Sequence, residues 1–194
     1  LRPSGRALVV SLPSLLEYHN AKTSIWERQA LTKARFVAGD AAFGAVAADT
    51  LCQTLYSPSK TLTVEDVEEM YRIRLRMEDE IARETDRRYN IKAGAGGVND
   101  IEFLVQALQL KWGGEKKGLR TPQTVKALLR LFREGLIEKE DYLFLKEAYL
   151  FLRLLELRQR IVNDRPEGDL IRGTPELATL ARRLGYSGPG GAEE

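Results

Sequence analysis

The chain has 194 residues, of which 43% are apolar, and 30 Lys and Arg nearly balance 28 Asp and Glu to leave a net charge of +2. One cysteine and one histidine exclude an intramolecular disulfide, a multi-cysteine zinc site and a His-rich metal cluster. The charges are interspersed, no basic cluster is interleaved with aromatic residues, and no apolar run reaches the roughly 18 residues of a membrane span. That pattern points to a cytoplasmic, core-forming protein with neither nucleic acid nor membrane as partner.

In chain order, Ala7, Leu8, Val9 and Val10 form a short apolar run between Gly and Pro signals, the one place where a strand competes with helix. Ser14 with Glu17, and Ser24 with Glu27, have capping-box spacing and predict helices over 14–20 and 24–38. Gly39 supplies a stop, and Asp40 caps an Ala-rich helix running to about residue 56. The Pro and small polar residues of 57–63 read as a linker. Thr63 then caps a helix in which Val67, Met70, Tyr71, Arg74, Met77 and Ile81 recur at helical spacing, ending before Asn90.

The glycines of 94–97 break the pattern. Ile101, Leu104, Val105, Leu108 and Trp112 mark one face of the next helix, which Gly113 and Gly114 end. Thr121–Pro122 and Thr174–Pro175 each combine a capping hydroxyl with a proline at the first helical position. Between them, 138–163 carries Leu145, Ala148, Tyr149, Leu152, Leu155 and Ile161 and reads as the central helix of a bundle. The sum predicts an all-α bundle of seven or eight helices. Its divisions are 1–56, 57–186 and a disordered tail over 187–194.

The segment IKAGAGGVNDIEF offers a glycine loop at a helix start with Lys92 adjacent, a geometry that can present amides to an anion. It is neither a Walker motif nor a dinucleotide fingerprint, and from these residues alone a flexible turn between two helices is the favoured reading. Asp100 and Glu102 are about 200° apart on a helix and cannot readily share an ion. Asp100 favours the helix dipole, while Glu102 lies on one face with Gln106 and Gln109, either a solvated face or a polar seam meeting another domain. On the 24–38 helix, Glu27 and Arg35 share one face and Gln29 and Lys33 another. Lys33 and Arg35 are residue types suited to phosphate or to surface ion pairs. Trp26 reads as a packing anchor. Cys52 and His19 have no nucleophile motif around them.

Taken together, LRPSG at residues 1–5, WERQALTKARFVAGD at 26–40, IKAGAGGVNDIEFLVQ at 91–106 and AYLFLRLLELRQRIVND at 148–164 resemble the glutamine synthetase adenylyltransferase family, in order and over most of the chain. The resemblance implies a polymerase-β-like nucleotidyltransferase domain followed by a helical bundle, repeated in two halves. One half moves AMP from ATP to a tyrosine of glutamine synthetase and the other removes it by phosphorolysis. It further implies magnesium, with glutamine and the PII signal protein as effectors. LRPSG with the DIEF-type helix start looks more like the C-terminal, adenylylating half.

No Gly-Ser followed by an Asp-x-Asp pair occurs, and the chain does not begin with Met. It therefore reads as an excised piece with no catalytic residue or metal ligand of its own and no tightly bound cofactor. It would hold the end of a transferase domain and the bundle after it. By position in the motifs, Arg2 and Ser4 would contact phosphate or orient the last active-site strand. Lys92, Gly94, Gly96 and Gly97, with Glu102 and Gln106, would face the catalytic domain, and Glu27 and Asp100 join the same interface. A non-catalytic helical docking domain is the rival reading. A PII uridylyltransferase is expected to lack LRPSG and GGVNDIEF at these positions.

Overall fold

In the computed structural model, which describes residues 9–21, 23–163 and 168–186, hydroxyl and carboxylate caps set most of the helix starts. Helix α1 (Leu12–Ala21) begins where the Ser11 hydroxyl accepts from the Ser14 amide at 3.4 Å, earlier than Ser14 and Glu17 predict. Helix α2 (Ile25–Leu31) has the expected capping box, with the Ser24 amide donating to Glu27 at 3.0 Å. Asp40 accepts from the Phe43 amide at 2.7 Å to cap α3 (Ala41–Leu55). Thr63 and Asp66 cap α4 (Val64–Met77) reciprocally. Helix α5 (Val98–Trp112) follows the glycine loop, and α6 (Thr124–Arg133) and the long α7 (Lys139–Asn163) come next. Thr174, with Pro175 in the first turn, caps α8 (Pro175–Arg183) as predicted.

Three further boundaries differ from the sequence reading, each for a local reason. Helix α2 stops at Leu31 rather than near residue 38. The amides of Thr32, Lys33 and Ala34 bond three residues back, and the Thr32 hydroxyl donates to the Gln29 carbonyl at 2.7 Å, which tightens and ends the helix. Helix α6 starts at Thr124 rather than after Thr121. The buried Gln109 amide donates to the Leu119 and Thr121 carbonyls at 2.7 and 2.8 Å and holds that stretch out of the helix. Helix α4 gives way to a π-helical turn over Glu78–Ala82, closed by Arg83 at φ 47°.

Strands β1 (Arg88–Asn90) and β2 (Asp169–Ile171) pair antiparallel, Arg88 opposite Ile171 and Asn90 opposite Asp169, in a two-stranded sheet that the sequence did not signal. Ala7 and Leu8 of the expected strand lie outside the described residues, and Val9 and Val10 are exposed and irregular. The tail 187–194 also lies outside them.

Among the described residues there are eight α-helices, and α5 is the hub, packed on α2, α4, α6 and α7. Its Ile101 and Val105 meet Leu119, Ala127, Leu128 and Leu131 in one core. Its Leu110 meets Ile25, Leu55, Tyr56 and Met70 in a second, and Ile91, Leu155 and Leu180 form a third. Not every residue of the predicted stripes faces inward. Ile161 is 70% exposed, because six residues beyond Leu155 a helix has turned some 240°. Leu104 lies at the solvent edge of α5; on α4 Met70 and Arg74 are buried while Val67 and Tyr71 are exposed, as is Ile81 in the π-helical turn after it. No helix of the described residues is long and apolar enough to cross a membrane.

Candidate functional site

Helix α2 and the turn that follows it meet α5 through polar side chains four residues apart on each side. Gln29 Nε2 donates to Gln106 Oε1 at 3.2 Å, both groups buried, and Lys33 Nζ lies 3.7 Å from Glu102 Oε1. Glu102 and Gln106 are four residues apart, as are Gln29 and Lys33, so two facing i, i+4 pairs build an antiparallel seam. The polar face foreseen on α5 thus meets α2, across the 57–63 stretch. Gln29 Oε1 has no partner, a cost that a fully paired seam would avoid.

At the outer end of this seam the network extends to α6 and α7. Lys33 Nζ donates to Thr124 Oγ1 at 2.5 Å, and the Tyr149 hydroxyl donates to Glu102 Oε1 at 2.8 Å. These four residues edge an open cleft of about 710 Å³, which Lys126 and Lys146 also line. The charged residues of the lining are three lysines against one glutamate. Burial pushes the Lys33 ammonium below its usual range, opposed by Glu102, and burial raises the Tyr149 hydroxyl, opposed by Thr124. The cleft is therefore short of negative charge and holds donors that would suit an anion.

The glycine loop has a different chemistry from the one its sequence suggests. The Ala95 amide donates to Glu84 at 3.1 Å and the Gly96 amide to Asp100 at 2.7 Å. The Lys92 and Ala93 amides donate to Asn90 Oδ1, and those of Gly94, Gly97, Val98, Asn99 and Asp100 to backbone carbonyls. Each amide from Ile91 to Asp100 thus has an internal acceptor, and the loop leaves none for an external phosphate. Arg74 locks this arrangement from α4, with Nε 2.5 Å and Nη2 2.8 Å from the Asp100 carboxylate and Nη2 also donating to the Gly94 carbonyl at 2.6 Å. At Gly94 a side chain is excluded, since a Cβ would lie 2.6 Å from the Asn90 carbonyl oxygen.

The remaining sequence candidates are dispersed. Glu27 caps α2 and accepts from the Tyr18 hydroxyl at 2.5 Å; burial raises its pKa, but these hydrogen bonds outweigh it and hold the carboxyl below its ordinary value. Arg35 is exposed and lies on a separate, largely apolar cavity of about 450 Å³ beside α3, so it does not converge with Lys33. Lys92 is exposed and lines neither space. Arg2 and Ser4 lie outside the described residues. Trp26 is partly buried, and burial pushes the Cys52 thiol up, away from nucleophilic reactivity.

Sequence reasoning missed Arg74 as a lock, and it missed Thr124, Lys126, Lys146 and Tyr149. Arg74 was legible only as a basic residue at an apolar-face position, and the other four come together only through the α6–α7 packing.

Comparison with known proteins adds to this geometry. Residues 1–50 match the family model for glutamate-ammonia ligase adenylyltransferase, and residues 71–194 match the model described as GlnD PII-uridylyltransferase. The bifunctional glutamine synthetase adenylyltransferase/adenylyl-removing enzyme of Streptomyces avermitilis is 36% identical over 193 residues, covering 98% of this chain and 19% of that protein. The Streptomyces coelicolor protein of the same name is 38% identical over 96% of this chain and 19% of its own length. The Bifidobacterium longum (strain DJO10A) protein is 37% identical over 75% of this chain and 14% of its own. The chain thus spans about a fifth of the length of the curated relatives it matches. GGVNDIEF falls within 71–194 and so does not by itself separate adenylyltransferases from uridylyltransferases, contrary to the sequence expectation. The relatives that match both segments do.

Proposed function

Because the chain belongs to the glutamine synthetase adenylyltransferase family, we propose that it is the helical segment of an enzyme that transfers AMP from ATP to a tyrosine of glutamine synthetase and removes it by phosphorolysis. On this reading the segment recognises the protein substrate and closes one wall of the catalytic cleft. The metal-holding carboxylates and the general base reside in a nucleotidyltransferase domain elsewhere in the longer polypeptide, in the cytoplasm. Glutamine and the PII protein act as effectors of the whole enzyme. No set of three or more His, Cys, Asp or Glu able to hold an ion is gathered among the described residues.

The observation that carries the reading is Lys33, held between Glu102 and Thr124 at the edge of a cleft whose other cations are Lys126 and Lys146. Lys33 and Lys146, partly buried, with the exposed Lys126 beside them, attract and orient the charge of a nucleotide's phosphates without themselves entering the reaction. The seam below fixes where they stand. Lys92 extends the contact with the catalytic domain from the glycine loop.

Incorporation of labelled AMP into glutamine synthetase by the intact enzyme tests this. Lys126→Ala with Lys146→Ala lowers transfer and weakens nucleotide affinity, and Lys92→Ala lowers transfer. Unchanged rates and affinities would remove these roles.

A further inference from the structure

Lys33 stands at its cleft with most of its hydrogen-bonding capacity unspent. An ammonium carries three donors, and among the described residues one of them is taken, by Thr124 Oγ1 at 2.5 Å. Glu102, the carboxylate paired with it, does not close on it: Oε1 lies 3.7 Å from Nζ, about 1 Å short of a charge-assisted hydrogen bond. That same oxygen is already engaged. It accepts from the Tyr149 hydroxyl at 2.8 Å, so the phenol holds the acceptor that the ammonium would otherwise use. Tyr149 is fixed in turn, because its ring packs on the core built around Val105 and Leu128. A contact ion pair would spend a second donor of Lys33 and cancel its charge. Held short of contact, the lysine keeps two donors and much of its field for an anion, and burial that pushes the ammonium below its usual range makes an incoming negative charge more valuable to it.

We propose that Tyr149 is a positioning residue of the lysine cleft: by donating to Glu102 Oε1 it keeps that carboxylate from closing on Lys33 and leaves the ammonium available to the phosphates of the nucleotide, a role that rests on the phosphate-binding reading of the cleft. Tyr149 touches no phosphate in this scheme and acts through Glu102 alone. Glu102 is then the phosphate's internal competitor for Lys33, and the hydroxyl decides how strongly it competes. The arrangement joins three helices and the turn after α2, since Glu102 comes from α5, Thr124 from α6 and Tyr149 from α7.

KM and kcat for ATP in adenylyl transfer by the intact enzyme test it. Tyr149→Phe keeps the packed ring and removes only the hydroxyl, and it raises KM for ATP about three- to tenfold with kcat within about twofold of wild type. Glu102→Gln removes the competing charge, and KM does not rise. In the Glu102→Gln background Tyr149→Phe changes KM by less than about twofold, because the hydroxyl has no carboxylate left to hold; a hydroxyl that merely stabilised the fold would cost the same in both backgrounds. Lys33→Ala separates this role from the reading beneath it. If Lys33→Ala raises KM while Tyr149→Phe does not, or if Tyr149→Phe raises KM equally in both backgrounds, the positioning role is overturned and the phosphate reading stands. If Lys33→Ala leaves KM at the wild-type value, both fall together.

Discussion

Gln29 and Gln106 share a hydrogen bond buried between helices 77 residues apart in sequence, and it registers α2 on α5. One turn further out, the same register brings Lys33 to Glu102. The position of the lysine cleft therefore depends on a carboxamide pair beneath it.

Replacing either glutamine alone with leucine leaves the other amide buried and unpaired, at a cost of about 1–3 kcal/mol. The double replacement removes both unpaired groups, so its destabilisation is smaller than the sum of the two singles. Urea denaturation of the three variants measures this coupling, and strict additivity would mean that the two amides do not act as a pair.

Arg74→Met removes both hydrogen bonds to Asp100 and the one to the Gly94 carbonyl. The expected loss is about 1–3 kcal/mol, since the buried Arg74 is removed from a pair whose other partner, Asp100, is part-exposed. Hydrogen exchange localises the effect: the Ala95 and Gly96 amides, held by Glu84 and Asp100, lose protection before those of α6. Gly94→Ala produces the same local signature through a clash with the Asn90 carbonyl.

Glu27 supplies the pH dependence. Its folded-state pKa lies below the unfolded value, so its contribution is present above that value and is lost as pH falls through the folded one. Glu27→Gln flattens this part of the acid limb of a stability–pH curve while leaving the curve near neutrality parallel to wild type. An acid limb of unchanged steepness would show that another group titrates there.

How legible these features were depended on sequence distance. The caps at Ser24, Asp40, Thr63 and Thr174 were readable because a cap needs only residues within one turn. The polar face of Glu102 and Gln106 was equally readable as a face, and its partner on α2 was not, because nothing in a period of 3.6 says which helix lies opposite. The β1–β2 ladder was hidden for the same reason, since three-residue strands whose partners lie 79 to 83 positions apart leave no local pattern. The glycine loop looked like an anion site because its sequence shows the amides but not Glu84 and Arg74, which arrive from outside the motif. The α2 boundary failed because a hydroxyl at Thr32 can turn back on its own helix.

Steady-state transfer of AMP from ATP to glutamine synthetase, measured for the intact enzyme with Lys33→Ala, tests the central claim most directly. Loss of one charge-assisted contact to phosphate predicts a fall of roughly 10- to 100-fold in kcat/KM for ATP, with partial recovery in Lys33→Arg. Transfer at the wild-type rate with wild-type KM for ATP would contradict the account.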